Sequence, residues 1–508
     1  MHLNYLEILV QSIRNNWDAP ALTDFYLTED GSAQDTTRGN HYTYGEMYAE
    51  IIRLIDIFQS LGLQKGDHIA ICGQNSANWV IAYLAIRALG GVSVTILPSL
   101  STSEIVKLIT FSDAKILLTD LEIWKELREF RCENLTQVVA IDTWKILGGK
   151  PPKQIIERKT CRNNVVLSEP NQNALAQICF TSGTNDRPRG VMLPYRSAWA
   201  NSMFMMHRFP YQKHHNKHIL IYFPLAHMLG VCLLMALFEG CHVYLLRDGY
   251  TIQTLFSSIL LSQSFLITMV PALVRNMLKE ENAGLLSKLL DCVEYIMVGG
   301  ATVPSYLLEE CKRRGIPVAM GYGMTETGPL ISMVTPDIYK MGSSGCLCDY
   351  LTCRISPAGE ILVKGENVML GYYKDPEATA RKIDSDGWLH TGDKGHLDED
   401  GYLYVEGRLE QDIIVLPNGE NIRPDNIESL INALPEVSES IVFARDGKLV
   451  AIAVLSSPSL QGRDRVRLSI LRAVNPQLPL FSQLYDVEIT DQPLARTEKQ
   501  TIKRYLYS

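Results

Sequence analysis

Three short stretches concentrate side chains able to handle phosphate, a divalent cation and a sugar. The first is Thr181-Ser182-Gly183-Thr184-Asn185-Asp186-Arg187-Pro188-Arg189-Gly190, which follows the mostly apolar run 174–180 and is therefore delivered by a strand. Backbone N–H groups and hydroxyls in such a loop can wrap a polyphosphate, and guanidinium forks add charge-assisted bonds. No Gly-Lys-Ser/Thr follows at Walker A spacing, and taken alone an ordinary polar loop carries the same residues. The second stretch is Gly321-Tyr322-Gly323-Met324-Thr325-Glu326-Thr327-Gly328. Glu326 stands where a dinucleotide fingerprint needs its third glycine, so that reading fails. Glycine, an aromatic face and a carboxylate can instead hold a purine, its ribose and a phosphate-bound Mg²⁺; a tight turn before a helix capped by Thr325 is the alternative. The third is His390-Thr391-Gly392-Asp393, followed by Gly407-Arg408. Asp393 could accept from a ribose diol and Arg408 could fork onto the sugar or its phosphate, although each is also at home in a strand-end turn.

The elements that must position these stretches alternate. Helical apolar spacing runs over 44–61 and 79–89, and short apolar strands over 68–72 and 92–97. The rhythm continues with helices over 252–261, 272–279 and 306–314 and strands over 265–270 and 295–298, which argues for α/β layers. Near residue 340 it gives way to short strands over 353–355, 360–363, 395–397 and 402–405, read as a small antiparallel or barrel-like unit. Beyond Arg408, helices over 425–434 and 465–474 and strands over 440–444 and 449–455 form a separate α+β unit. The expected division is an N-terminal domain over 1–410, with two α/β-layered subdomains and a β-barrel-like one, and a small mobile C-terminal domain over 411–508.

Composition sets the outer limits. With 46% hydrophobic and 20% charged residues over 508 positions the chain is globular in type, and a net charge of −8 with no long basic run argues against a nucleic-acid partner. Eleven cysteines without a C-x-x-C pair suit a reducing cytosol, and Cys346, Cys348 and Cys353 read as apolar thiols rather than zinc ligands. His207, His214, His215 and His218 read as a solvated loop. The N-terminus lacks the pattern of a signal peptide. Residues 219–238 carry no charge and imitate a membrane span, but Pro224, His227 and Gly230 interrupt them; a strand over 219–223, a loop and a buried helix over 231–238 is expected instead. No transmembrane segment and a cytoplasmic location follow, with peripheral membrane association left open.

Together and in this order, with Phe223-Pro-Leu-Ala-His-Met-Leu-Gly230 between the first two, these stretches resemble the adenylate-forming superfamily from about Tyr42 to the C-terminus. Thr181–Gly190 is similar to its phosphate loop, Tyr322–Glu326 to its Tyr-Gly-x-Thr-Glu, Thr391–Asp393 to its Thr-Gly-Asp and Gly407-Arg408 to its hinge approach. Residues 366–379 also look like the family, and 413–422 resembles a loop of medium- to long-chain acyl-CoA synthetases.

The resemblance implies that a carboxylate attacks the α-phosphate of ATP, giving acyl-AMP and pyrophosphate, and that a thiol of CoA, or of a carrier protein, then takes the acyl group. It implies that Thr181, Ser182, Gly183, Thr184 and Arg189 hold phosphates and that Glu326 with Thr184 holds Mg²⁺. Tyr322, flanked by Gly321 and Thr325, would stack on adenine beside Gly299, Gly300 and Ala301. Asp393 and Arg408 would bind the ribose, and His227 would border the acid. No Asp or Glu lies between Ile219 and Phe238 to pair a substrate ammonium, so an uncharged apolar acid, here a fatty acid, is the expected substrate. Three departures stand out. Asp186 replaces a loop glycine and Arg189 a lysine, and the C-terminal stretch Ala495–Arg504 puts Thr501 where the adenylation lysine is usual, leaving Lys499 as the candidate. A family member that binds ligand without turnover is the rival expectation.

Overall fold

The helices start where side chains satisfy their free N–H groups. Thr43 accepts from the backbone N–H of Glu46, and the Glu46 carboxylate accepts from that of Thr43, a reciprocal cap that opens the helix Tyr44–Ser60. Ser76 caps Ala77–Leu89 by accepting from Trp79, and that helix is buried along almost its whole length. The strand Val92–Ile96 is buried on both faces, as a parallel strand covered by helices must be. The structure is a computed structural model that describes residues 5–26, 39–130, 132–149, 160–167, 171–181, 188–209, 217–247, 249–279, 282–299, 303, 305–409, 414–415, 421–422, 424–445, 447–456, 462–479, 482–496, 502 and 506–507.

The chain divides into two units, one of Met1–Gly299, Cys311–Thr391 and Gly395–Val405, the other of Gly300–Glu310, Gly392–Lys394 and Glu406–Ser508. Among the described residues the first unit contains an eight-stranded sheet in the order Gly371–Tyr372, Arg189–Pro194, Leu175–Thr181, Val92–Ile96, His68–Cys72, Ile116–Thr119, Gln137–Ala140, Ile146–Gly148. Its centre is parallel and its two edges are antiparallel. A second, longer sheet has a parallel half built from Pro20–Phe25, His242–Leu246, His218–Ile221, Leu266–Met269, Tyr295–Val298 and Val318–Gly323. The short antiparallel strands expected after residue 340 are present. They continue this sheet through Leu330–Val334 and Gly345–Leu347 rather than standing apart from it. The pairing of Gly345 with Leu403 that brings Tyr402–Arg408 onto the sheet joins residues far apart in sequence, which local patterning does not encode.

The uncharged run 219–238 is core. The strand His218–Ile221 stops ahead of Pro224, which has no N–H to give a ladder. The expected single helix is a short α-helix, Met228–Leu233, running into a 3₁₀ turn, Leu234–Glu239. Against it lies a helix absent from the sequence-based elements, Tyr5–Asn15, with Leu6, Leu9 and Ile13 buried. The Tyr5 and Phe238 rings meet edge-on at 4.4 Å, and the Ser12 hydroxyl donates to the carbonyl of Leu237 at 2.6 Å. Among the described residues no helix is long and apolar enough to cross a membrane.

The second unit has its own core. The sheet Val437–Arg445, Lys448–Leu455 and Asp486–Thr490 is covered by Pro424–Asn432 and Arg463–Val474, burying Ile427, Ile431, Val466 and Ile470.

Candidate active site

The phosphate-loop candidate is carried by a β-hairpin. Leu175–Thr181 and Arg189–Pro194 pair antiparallel, with Thr181 opposite Arg189 at the open end. Thr181 and Arg189 are thereby placed side by side, both half-buried, while Ser182, Gly183, Thr184 and Asp186 lie outside the described residues.

The carboxylate candidate is built into a turn that other elements hold. The strand Val318–Gly323 presents Tyr322, half-buried and packed against the core, and leads into a 3₁₀ turn, Thr325–Thr327. Gly323 is required there, because a Cβ would collide with the carbonyl of Pro329. The amide of Asn201 donates to the carbonyl of Thr327 at 3.1 Å and accepts from the N–H of Leu330 at 3.0 Å, tying the turn to the helix Tyr195–Arg208. Thr325 opens the turn, and the helix of the alternative reading does not follow.

Glu326 is 7% exposed, and its carboxylate accepts from the hydroxyl of Tyr372 at 2.8 Å. Tyr372 was not among the sequence-selected residues. It belongs to the two-residue strand Gly371–Tyr372, which pairs with Val191 and Met192 on the hairpin. Its ring lies 5.2 Å beneath the Arg189 guanidinium, a cation–π distance. Burial, then the charge of Glu326 and the hydrogen bond to it, hold the Tyr372 phenol far above its ordinary value, so it stays a donor at working pH. Thr181, Arg189, Tyr372 and Glu326 thus form one connected set. The only signal for Tyr372 in the sequence was its place within residues 366–379.

Mg²⁺ is commonly held by one or two carboxylates together with substrate phosphates. Among the described residues no group of three or more His, Cys, Asp or Glu could hold a metal on its own. One buried, oriented carboxylate connected through Tyr372 to Arg189 and Thr181 fits that shared mode and does not fit an all-protein cage.

His227 stands on another loop of the same unit. It is exposed and precedes Met228–Leu233, its Nδ1 accepting from the N–H of Leu229 at 3.5 Å. Gly299 follows the strand Tyr295–Val298, with its N–H bonded to the carbonyl of Met269 at 3.1 Å; Gly300 and Ala301 lie outside the described residues. Gly321 is on the same strand as Tyr322. Asp393, buried in the strand Leu389–Leu397, and Arg408, the last residue of Tyr402–Arg408, belong to the second unit. Lys499 and Thr501 lie outside the described residues, as do His214 and His215. His207 pairs with Asp349 at 3.0 Å and His218 with the carbonyl of Ser262 at 3.0 Å, so neither is set up as a metal ligand. All eleven cysteines are free, and burial pushes the thiols of Cys72, Cys232 and Cys241 up to about 12, which keeps them inert.

A parallel α/β body whose β-hairpin strands connect through Tyr372 to a buried carboxylate, followed by a small α+β unit, is the build of a nucleotide-activating ligase. The AMP-binding enzyme family matches residues 9–373, and the AMP-binding enzyme C-terminal domain matches 411–507. The chain is 30% identical to 4-coumarate–CoA ligase 3 of Arabidopsis thaliana over 478 residues, covering 88% of this chain and 83% of that protein. It is 30% identical to the 2-succinylbenzoate–CoA ligase of Bacillus licheniformis, covering 83% and 85%. Its fold matches o-succinylbenzoate CoA synthetase from Bacillus subtilis in complex with the acyl-adenylate OSB-AMP, with a TM-score of 0.78, 26% identity and coverage of 99% and 98%. The same enzyme with ATP and magnesium ion matches at 0.78, 27% identity and 98% of both chains. The chain belongs to the AMP-binding enzyme family, the adenylate-forming superfamily. It is an adenylate-forming acid–CoA ligase, with ATP, Mg²⁺ and CoA as nucleotide, metal and thiol.

Proposed function

We propose that the chain activates an aromatic or aryl-substituted carboxylic acid to its acyl-AMP and passes the acyl group to CoA. The fatty acid expected from the loop 413–422 and the charge-free run 219–238 gives way, because the relatives above act on 4-coumarate and 2-succinylbenzoate, as their names state. The single observation that carries an aryl reading on this chain is the cluster ahead of His227. Tyr222 and Phe223 stack at 4.5 Å, and Tyr250 meets Tyr222 edge-on at 5.0 Å. Tyr222 is buried, and the rings it leaves to meet a flat acid are half-buried Phe223 and exposed Tyr250.

In this reading the hairpin hydroxyls and Arg189 take the phosphates, and Tyr372 fixes the carboxylate of Glu326 where Mg²⁺, when bound, neutralises phosphate charge. Positioning and charge neutralisation are most of what in-line phosphoryl chemistry asks of a protein. Tyr322 stacks on the adenine, with Gly321, Thr325 and Gly299–Ala301 around it, Asp393 and Arg408 hold the ribose, and His227 borders the acid. Lys499 serves adenylation, and the catalytic domain ends at 410 with the C-terminal domain over 411–508. The test is pyrophosphate release from ATP and Mg²⁺ with 4-coumarate, 2-succinylbenzoate, benzoate, octanoate and palmitate. Faster turnover of the fatty acids than of every aryl acid would overturn the aryl assignment. A carrier protein replacing CoA in the same assay tests the other acceptor.

A further inference from the structure

The loop that carries His227 is held by a side chain distant in sequence and outside every motif above. Asn75 is 5% exposed, and both ends of its amide engage one segment. Nδ2 donates to the carbonyl of Phe223 at 2.8 Å, and Oδ1 accepts from the N–H of Leu225 at 2.8 Å. Between those residues Pro224 has no N–H to offer, so the amide completes the backbone bonding that a neighbouring strand would otherwise supply. The segment then turns at once into the site: the N–H of His227 bonds to the carbonyl of Pro224 at 2.9 Å. Gly230 lets the following helix close over the turn, since a Cβ there would meet the Pro224 carbonyl oxygen at 2.6 Å.

Asn75 is itself fixed from both sides. Asp120 accepts from the N–H of Gln74 at 2.6 Å, and Asp24 accepts from that of Ala77 at 2.5 Å. The two carboxylates come from different sheets, Asp24 from Pro20–Phe25 and Asp120 from the residue after Ile116–Thr119. Arg247 gathers them, its guanidinium 3.8 Å from Asp24, 3.7 Å from Asp120 and 3.1 Å from Asp142. The loop 73–77 is thus pinned to two sheets, and the Asn75 amide reaches from it to the segment 223–225.

We propose that Asn75 is a positioning residue for the acid half of the reaction, setting His227 by clamping the Phe223–Leu225 backbone. This rests on the reading of His227 as the residue that borders the carboxylic acid. Initial rates of pyrophosphate formation are measured against 4-coumarate, 2-succinylbenzoate and ATP for wild type, Asn75→Asp, Asn75→Ala, His227→Ala and the Asn75→Ala/His227→Ala double variant. Asn75→Asp keeps the acceptor for Leu225 and loses the donor to Phe223, with little change of volume. The acid KM is expected to rise about tenfold in both Asn75 variants while the ATP KM stays within about twofold. Adding Asn75→Ala to His227→Ala should change the acid KM by less than about twofold. In the substrate-free protein, amide hydrogen exchange at Leu225 should speed up about tenfold or more in Asn75→Asp.

Acid kinetics and exchange both unchanged in Asn75→Asp, equal rises in acid and ATP KM, or full additivity in the double variant would overturn the proposal. Unchanged acid kinetics in His227→Ala alone would sink the role given to His227 instead. The clamp is then judged on the acid KM and Leu225 exchange of Asn75→Asp.

Discussion

Replacing Tyr372 with Phe removes one hydroxyl and little else. The ring stays in the strand Gly371–Tyr372 and beneath Arg189, so packing and the cation–π contact persist. What is lost is a 2.8 Å hydrogen bond to a buried carboxylate. Hydrogen bonds to charged groups are worth about 1.5–3 kcal/mol, and about 1.4 kcal/mol is a factor of ten. Glu326 loses the group that orients it, so its alignment toward a phosphate-bound cation is no longer prepaid. The expected result for Tyr372→Phe is a Mg²⁺ half-saturation concentration raised about tenfold or more in the pyrophosphate-release assay. Added Mg²⁺ should restore part of the rate, and the acid KM should stay near wild type. The thermal midpoint should fall by no more than a few degrees, because one lost bond is small against the unfolding entropy of so large a unit. A Mg²⁺ half-saturation within twofold of wild type would show that Tyr372 does not orient the metal-facing carboxylate.

Further outcomes follow from the turn at Gly323, from the burial of Asp120 and from the proposed role of Lys499. Gly323→Ala drives a methyl into the Pro329 carbonyl, which should cost about 1–3 kcal/mol and displace Tyr322 and Glu326; nucleotide affinity and thermal midpoint should fall together, and a variant that binds ATP normally would contradict the turn described. Asp120 is held near 6, chiefly by burial, against about 3.8 when exposed, so the native state binds its proton more tightly than the unfolded chain. That contribution is fully present below about pH 4 and is lost as pH rises through about 6, close to 3 kcal/mol in all. Urea unfolding at pH 4 and pH 7 should therefore show wild type losing about that much more stability than Asp120→Asn, and parallel losses would refute the assignment. Lys499→Ala should slow acyl-AMP formation about a hundredfold or more while leaving thiolysis of supplied acyl-AMP near wild type. Equal effects on both steps would remove Lys499 from the adenylation role.

What the sequence disclosed depended on how local the signal was. The strand over 68–72 and the strand over 295–298 were readable to the residue, because each is a short apolar run closed by turn residues. The helix over 44–61 announced itself through its apolar period, whereas the Thr43–Glu46 cap that opens it came only with the structure. The Thr181–Arg189 hairpin was legible as a loop delivered by a strand, but not as a cross-strand pair. Tyr372 and Asn75 were invisible as site residues, since the first meets Glu326 across 46 positions and the second meets Phe223 across 148. Periodicity reports which face is buried, and it says nothing about which distant partner completes that face. The uncharged run 219–238 shows the same limit: its breaking residues separated core from membrane span, while the change from α-helix to 3₁₀ at Leu234, in the segment that packs against Tyr5–Asn15, was not read.

The proposed activity is that of an acid- and CoA-dependent AMP-forming ligase acting on an aromatic acid. Its most direct test is a stoichiometry measurement with the full chain, ATP, Mg²⁺, CoA and the acid panel, following pyrophosphate, AMP and thioester together. The account predicts that all three appear in equal amounts, only when acid and Mg²⁺ are both present, and fastest with an aryl acid. Pyrophosphate release from none of the acids, with ATP still bound, would contradict it.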